Sequence, residues 1–299
     1  MNLNSVSVII PVYNRAHHLL EALDSVFHQE SPDTAIQCIV ADDGSTDGSL
    51  LAAQMHWNKL QSRTPRPDRE FLPLALEHGG YPGRARNRGV ELARHDLVAF
   101  LDSDDIWLPE KLSLQLPLHR ETRISHTRER WIRFDHGGSR REVSQKSQKH
   151  RRRGDLFTDS LWKCIIGPST AVMDKSLFNT LGGFREDLQV AEDYEFWLRV
   201  TAREEAGYVD EPCVEKRAGL PNQDQLSERY GQIEGFRIAA LQRLLENSPD
   251  IFSEPQQTAI RNMLVKKAEI YLKGALKRGN EAEAERMRRV IRTVLREND

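Results

Sequence analysis

An apolar run, Leu97-Val98-Ala99-Phe100-Leu101, stops at Asp102-Ser103-Asp104-Asp105, which places three carboxylates within four residues. Runs of this kind build strands buried on both faces, whereas charges are almost never fully buried unless paired or bound to metal. Carboxylates at the carboxyl end of a parallel strand stand where open α/β sheets bind their ligands. An Asp-x-Asp pair there supplies hard oxygen donors for Mg²⁺ or Mn²⁺, ions that commonly accompany a diphosphate. Taken alone, the segment also fits an Asp-rich turn leaving a strand. The rest of the chain has to separate those readings.

Two further runs end in the same way. Val6-Ser7-Val8-Ile9-Ile10 stops at Pro11, and Ile36-Gln37-Cys38-Ile39-Val40 ends at Asp42-Asp43-Gly44-Ser45-Thr46-Asp47. Between them, Leu19, Leu20, Leu23, Val26 and Phe27 recur at helical spacing from Ala16 to Phe27. Asp-Gly marks a turn, and Ser45 or Thr46 can cap a helix beginning near Asp47. Phe71-Leu76 contains Pro73 and reads as an edge strand, because proline cannot serve a central ladder. A helix from about Arg84 to Arg94 then feeds the Asp102 strand. This alternation predicts an α/β fold with a mostly parallel, doubly wound sheet flanked by helices.

Later segments are more varied. Trp131-Phe134 alternates like a strand, and the basic stretch at 138–153 reads as a surface loop inserted in the domain. Ile165-Ile166 and Thr170-Met173 read as strands around Gly167-Pro168. Glu192 to Thr201 reads as a helix with Phe196, Trp197 and Val200 on one face. From Gln225 onward the pattern is helical, which divides the chain into a domain at 1–222 and a helical C-terminal extension at 223–299.

Lys and Arg number 43 against 45 Asp and Glu, a net charge of −2, which argues against a nucleic-acid partner. Cys38, Cys164 and Cys213 lie far apart and form neither a metal-ligand spacing nor a disulfide framework, pointing to a reducing cytoplasm. No secretion signal and no run long enough to span a bilayer is visible. Peripheral contact with the inner face of a membrane, or self-association through the C-terminal helices, stays open.

The polar strand ends suit a nucleoside diphosphate. Tyr13, after Pro11, could stack on a base, and Asp43 could accept from a nucleobase N–H; local packing and an Asx turn are the alternatives. Arg15 closes the same loop. Arg86 is the preferred diphosphate contact among Arg84, Arg86 and Arg88, since guanidinium forks match phosphate oxygens. Asp102 would meet the ribose or metal-bound water and Asp104 the cation. Asp193, beside Glu192 at a helix start that favours an ionised carboxylate, could serve as general base or merely complement the helix dipole.

Val8-Asn14, Asp42-Asp47, Ala85-Arg86-Asn87-Arg88-Gly89, Phe100-Asp105 and Gly182-Gly183-Phe184 with Glu192-Asp193 and Trp197 resemble, in order, the motifs of family 2 glycosyltransferases. The resemblance covers roughly residues 5–205. It implies a GT-A, Rossmann-like fold, a nucleoside-diphosphate sugar donor, a divalent cation (Mn²⁺ or Mg²⁺) and inversion at the anomeric carbon. By the same resemblance Pro11, Tyr13 and Asp43 line the nucleoside pocket, Asp102 and Asp104 hold the metal, and Asp193 is the base. The segment Lys216-Gln223 is similar to one that carries His in some bacterial members where Leu220 stands here, which implies a poorer metal shell. The acceptor, whether lipid-linked, glycan or small molecule, is not encoded in these motifs. A nucleotide-sugar binder with weak or no turnover is the alternative. A sugar-phosphate nucleotidyltransferase fits less well, because Pro11-Arg15 contains no glycine for a phosphate loop.

Overall fold

The computed structural model describes residues 5–31, 33–135, 138–145, 150, 152–219, 233–247 and 249–296. Strands β1 (Ser5–Val12), β2 (Ala35–Asp42), β3 (Arg69–Ala75) and β4 (Leu97–Phe100) form the parallel half of one sheet, ordered β3-β2-β1-β4. Its crossovers are α1 (Ala16–Phe27), α2 (Ser49–Arg63) and α3 (Pro82–Leu92). Alternate side chains of β1 explain its unbroken apolar run. Val6, Val8 and Ile10 enter one core layer with Leu19, Leu23 and Val26 of α1, while Ile9 enters the opposite layer with Val90 of α3. Pro73 sits on the edge strand, as its missing N–H requires. At the start of α2 the N-cap is Gly48, with φ of 79°, rather than Ser45 or Thr46, and Asp47 before it braces the turn. Its carboxylate accepts the Ser49 N–H at 2.9 Å and, across the edge of the sheet, the Ala16 N–H of α1 at 3.1 Å.

Beyond β4 the sheet is mixed. It continues through β8 (Val172–Asp174), β6 (Ile124–Phe134), β9 (Ala206–Ala218) and β5 (Ile106–Trp107), and β7 (Arg140–Val143) pairs with β6. Two sequence expectations change here. The basic stretch is not simply a loop, because Arg140 to Val143 return along β6 as an antiparallel hairpin arm, and Arg140 reaches Glu215 of β9 at 2.5 Å. Ile165-Ile166 is not a strand. It leads into a 3₁₀ turn at Pro168–Thr170, where proline has no N–H for a ladder, and Ile166 is buried through packing alone.

The short helices α4 (Lys111–Gln115), α5 (Phe157–Trp162) and α6 (Lys175–Thr180) precede α7 (Glu192–Thr201). The C-terminal helices α8 (Ile233–Asn247), α9 (Glu254–Lys277) and α10 (Glu281–Arg296) share a core with α5 and α7. Ile238, Leu241 and Leu264 pack with Leu161, Tyr194 and Leu198. The extension therefore buttresses the helix that begins at Glu192. None of the described helices is long and apolar enough to cross a membrane.

His126 of β6 is 3% exposed and donates through Nε2 to the Arg152 carbonyl at 2.6 Å. Burial pushes its pKa down to about 4 from an ordinary 6.5, opposed by the hydrogen bond to the Arg152 carbonyl and reinforced by the charges of Arg152 and His150. The unfolded chain takes up a proton near pH 6.5 and the folded chain does not, so this group's stabilisation is present above 6.5 and lost as pH falls toward 4. The expected loss is on the order of 3 kcal/mol. Denaturant unfolding of wild type and His126→Gln from pH 7 to pH 4 should show wild type's stability falling relative to the variant's by about that amount; a difference independent of pH would contradict the burial effect.

Candidate active site

Parallel registry brings the carboxyl ends of β1, β2 and β4 to one edge, with Val12 opposite Asp42 and Ile9 opposite Phe100. The loops leaving these strands interlock. Asn14, with φ of 49°, accepts the Thr46 N–H on Oδ1 at 2.8 Å, and its own N–H donates to Ser45 Oγ at 2.8 Å. A left-handed residue of this kind is held only where its surroundings over-determine it.

Asp102, Asp104 and Asp105 meet a different cation or donor each. Asp102 accepts from Arg86 at 2.6 Å, and its backbone N–H donates to Ser169 Oγ at 3.1 Å. Burial disfavours its charge, but Arg86 and Lys216 outweigh that and hold its pKa below the usual carboxylate value. Asp104 pairs with Arg15 at 2.6 Å. Asp105 accepts from Ser169 Oγ at 2.6 Å and from the Arg217 N–H at 3.1 Å, with Lys216 Nζ 3.8 Å away. Burial, reinforced by Asp104 and Asp102, raises Asp105 to about 7.

Arg86 occupies a place that sequence reasoning did not give it. It is 4% exposed, and its two terminal nitrogens donate to Asp102 at 2.6 Å and to Glu192 at 2.8 Å. A buried guanidinium needs anions fixed around it, and here protein carboxylates supply them where a diphosphate was expected. Its neighbours explain the rest of the Ala85–Gly89 motif. Asn87 donates to the Phe184 carbonyl at 2.8 Å and accepts the Phe184 N–H at 2.9 Å, clasping the Gly182-Gly183-Phe184 turn. A Cβ on Gly89 would lie 2.5 Å from Ile9, so only glycine lets α3 press onto β1.

Arg86 thereby ties the acidic end of β4 to the first turn of α7. That turn follows Ala191, whose φ of 65° is unusual for a residue with a side chain. Burial and the adjacent Asp193 raise Glu192 to about 7 despite Arg86. Asp193 is partly buried; its Oδ1 accepts the Tyr194 N–H at 2.6 Å, and the Cys164 thiol lies 3.7 Å from its Oδ2. The Asp193 charge acts on Arg86.

At the other end of the edge Tyr13 is 43% exposed and stacks on His78, with ring centroids 4.1 Å apart at 19°. Both oxygens of Asp43 are engaged by the same loop, accepting the Gly79 N–H at 3.0 Å and the Gly80 N–H at 2.8 Å. Arg84 Nη1 lies 3.4 Å from the first of these oxygens and His78 Nδ1 3.1 Å from the second, so a base N–H would have to share Asp43 with these partners. Pro11 lies in β1 beside Ala41, at the floor of this corner. Sequence reasoning missed His78, Glu192, Ser169 and Arg217. Glu192 carried a signal as half of the Glu192-Asp193 pair, and Arg217 lies inside the Lys216-Gln223 segment.

The donor set at the end of β4 fits a divalent cation. Two carboxylates are the usual protein share when phosphates complete the shell, and among the described residues no group of three or more His, Cys, Asp or Glu is arranged to hold an ion by itself. Leu220, on which the metal-shell expectation turned, lies outside the described residues.

Several known proteins share this architecture. An uncharacterized glycosyltransferase of Rickettsia conorii is 28% identical over 218 residues, 73% of this chain and 33% of that protein. This chain thus spans about a third of the length of that relative and of its Rickettsia felis counterpart. The poly(ribitol-phosphate) β-N-acetylglucosaminyltransferase TarS of Staphylococcus aureus is 36% identical over 99 residues, 33% of this chain and 16% of that protein. Among solved structures, TarS residues 1–349 with UDP superposes with a TM-score of 0.59 at 18% identity, covering 99% of this chain and 92% of that one. The mannosyltransferase PcManGT of Pyrobaculum calidifontis, with GDP-Man and Mn²⁺, gives 0.58 at 18% identity, covering 97% and 80%. These likenesses establish the GT-A fold. The family model Glycosyl transferase family 2 matches residues 7–182, a stretch that holds the interlocked β1 and β2 loops, the α3 motif and the Asp-x-Asp strand end. With more than half of its length so matched, the chain belongs to glycosyl transferase family 2.

Proposed function

We propose that the protein transfers a sugar from a nucleoside-diphosphate sugar to an acceptor hydroxyl, with inversion at the anomeric carbon. The observation that carries this reading is the Arg86 bridge, at 2.6 Å to Asp102 and 2.8 Å to Glu192. It ties the Asp-x-Asp strand end and the Glu192-Asp193 helix start to one guanidinium, which supports reading them as parts of one site. The relatives support the donor class: solved structures of TarS and PcManGT hold UDP-GlcNAc and GDP-Man respectively.

In this reading Pro11, Tyr13 and Asp43 receive the nucleoside, with the base stacking against Tyr13 and His78 and offering an N–H to Asp43. Arg15 stands where it can leave Asp104 for a phosphate oxygen. Asp102 and Asp104 would hold a divalent cation, Mn²⁺ or Mg²⁺, which neutralises the diphosphate and the charge that develops on it. Asp193 accepts the proton of the acceptor hydroxyl as its oxygen bonds to the anomeric carbon. The bond from that carbon to the diphosphate oxygen breaks on the opposite face, and its electrons leave with the nucleoside diphosphate. Arg86 and Glu192 are positioning residues, because neither needs to touch substrate to set where Asp193 stands.

Two substitutions separate the roles. Asp104→Ala should remove Mn²⁺-dependent binding of whichever of UDP, GDP and dTDP the wild type prefers by calorimetry; unchanged binding would remove the metal assignment. Asp193→Asn should bind that nucleotide like wild type while releasing it from its sugar roughly 10²–10⁴ times more slowly, the usual contribution of a general base. Equal release rates in the two proteins would remove Asp193 as the base.

A further inference from the structure

The acidic turn that follows β4 closes on itself, with the Asp105 N–H donating to the Asp102 carbonyl at 3.0 Å. One hydroxyl grips both of its ends. Ser169, fully buried in the 3₁₀ turn at Pro168–Thr170, donates through Oγ to Asp105 Oδ2 at 2.6 Å and accepts the Asp102 N–H at 3.1 Å. A serine hydroxyl has a single proton; here it goes to the carboxylate, and a lone pair takes the amide. Arg217 of β9 completes the hold. Its N–H donates to Asp105 Oδ1 at 3.1 Å, and its Nε donates to the Asp104 carbonyl at 2.5 Å.

These contacts sort the three carboxylates. The Asp105 side chain is 2% exposed and spends both oxygens on partners inside the fold, whereas those of Asp102 and Asp104 keep 24% and 11% of their surface open. Ser169 is itself held fast. The Trp107 indole N–H donates to its carbonyl at 2.8 Å, Gln115 Nε2 donates to the Thr170 carbonyl at 2.9 Å, and Thr170 Oγ1 donates to the Gly167 carbonyl at 2.7 Å. Trp107 and Gln115 both follow the acidic turn in the chain. The segment after the turn thus holds the 3₁₀ turn, and the 3₁₀ turn holds the acidic one. Hydrogen bonds behind the ligating groups orient them before an ion arrives, and their loss is felt as lost metal affinity.

We propose that Ser169 is a positioning residue of the metal edge. Through Asp105 and the Asp102 amide it sets the turn from which Asp102 and Asp104 reach a divalent cation, and Asp105 is the anchor of that turn rather than a third ligand. The inference rests on the function proposed above and adds the device that keeps the two ligands in place.

The test is calorimetric titration of the full chain with UDP and with GDP across a series of Mn²⁺ concentrations. Ser169→Ala should need about 10–100 times more Mn²⁺ than wild type for half of the Mn²⁺-dependent gain in nucleotide affinity. Once Mn²⁺ saturates, the variant should reach the wild-type affinity, which a general loss of folded structure would not allow. Trp107→Phe removes the N–H on the Ser169 carbonyl and keeps an aromatic ring. It should shift the series in the same direction by a smaller factor, and it carries the test where Ser169→Ala does not fold. An unshifted series, or an affinity lowered equally at every Mn²⁺ concentration, overturns the role of Ser169 while leaving the donor reading intact. Wild type that binds neither nucleotide in a Mn²⁺-dependent way overturns the metal-assisted donor reading, and this role with it.

Discussion

The site depends on one buried guanidinium. Arg86 is enclosed by Asp102, Glu192 and the ring of Phe184, with its Cζ 5.4 Å from that ring's centroid. Taking such a charge out of water is strongly unfavourable unless its anions are fixed in place. The fold meets that requirement by bringing together residues from β4, α3 and α7, which lie far apart in sequence. Gly83 allows the approach, since a Cβ there would stand 3.0 Å from Glu192 Cγ. Once Arg86 is satisfied, the first turn of α7 has little freedom to move relative to the acidic strand end. Asp193 inherits its location from that constraint.

The same logic of paired charge organises the whole carboxyl edge. Asp104 rests on Arg15, and Asp105 is held by Ser169 together with Lys216 and Arg217 of β9. The mixed half of the sheet is thereby stitched to the parallel half through its polar end as well as through its core. In the proposed complex a divalent ion bound with a diphosphate would change this balance little in net charge, because the ion's two positive charges offset those of the diphosphate.

How much of this was legible in the sequence depended on whether a single segment carried its own explanation. β1, β2 and β4 were readable because strands covered on both faces must be apolar throughout, and α1 and α7 because their buried faces repeat at helical spacing. β9 was not. Its run is interrupted by Pro212, which sits where the pairing with β6 shifts register at Arg128, and its alternation is obscured by charged residues that serve the site. The β6–β7 hairpin was hidden for a similar reason, since basic composition reads as solvated loop unless the partner strand is known. Arg86 was singled out as a site residue, but its partners within the fold were not legible, because nothing local reveals that Glu192, over a hundred positions away, returns to meet it. Pairings of that kind belong to the tertiary structure alone.

The most direct measurement of the Arg86 clasp is a double-mutant cycle on unfolding free energy with Arg86→Met and Glu192→Gln. If the guanidinium holds α7 to the strand end, each single substitution strands a buried partner, and the double variant costs less than the two singles combined by about 1–3 kcal/mol. Costs that simply add would show that Arg86 and Glu192 act independently, and the placement of Asp193 would then need another cause.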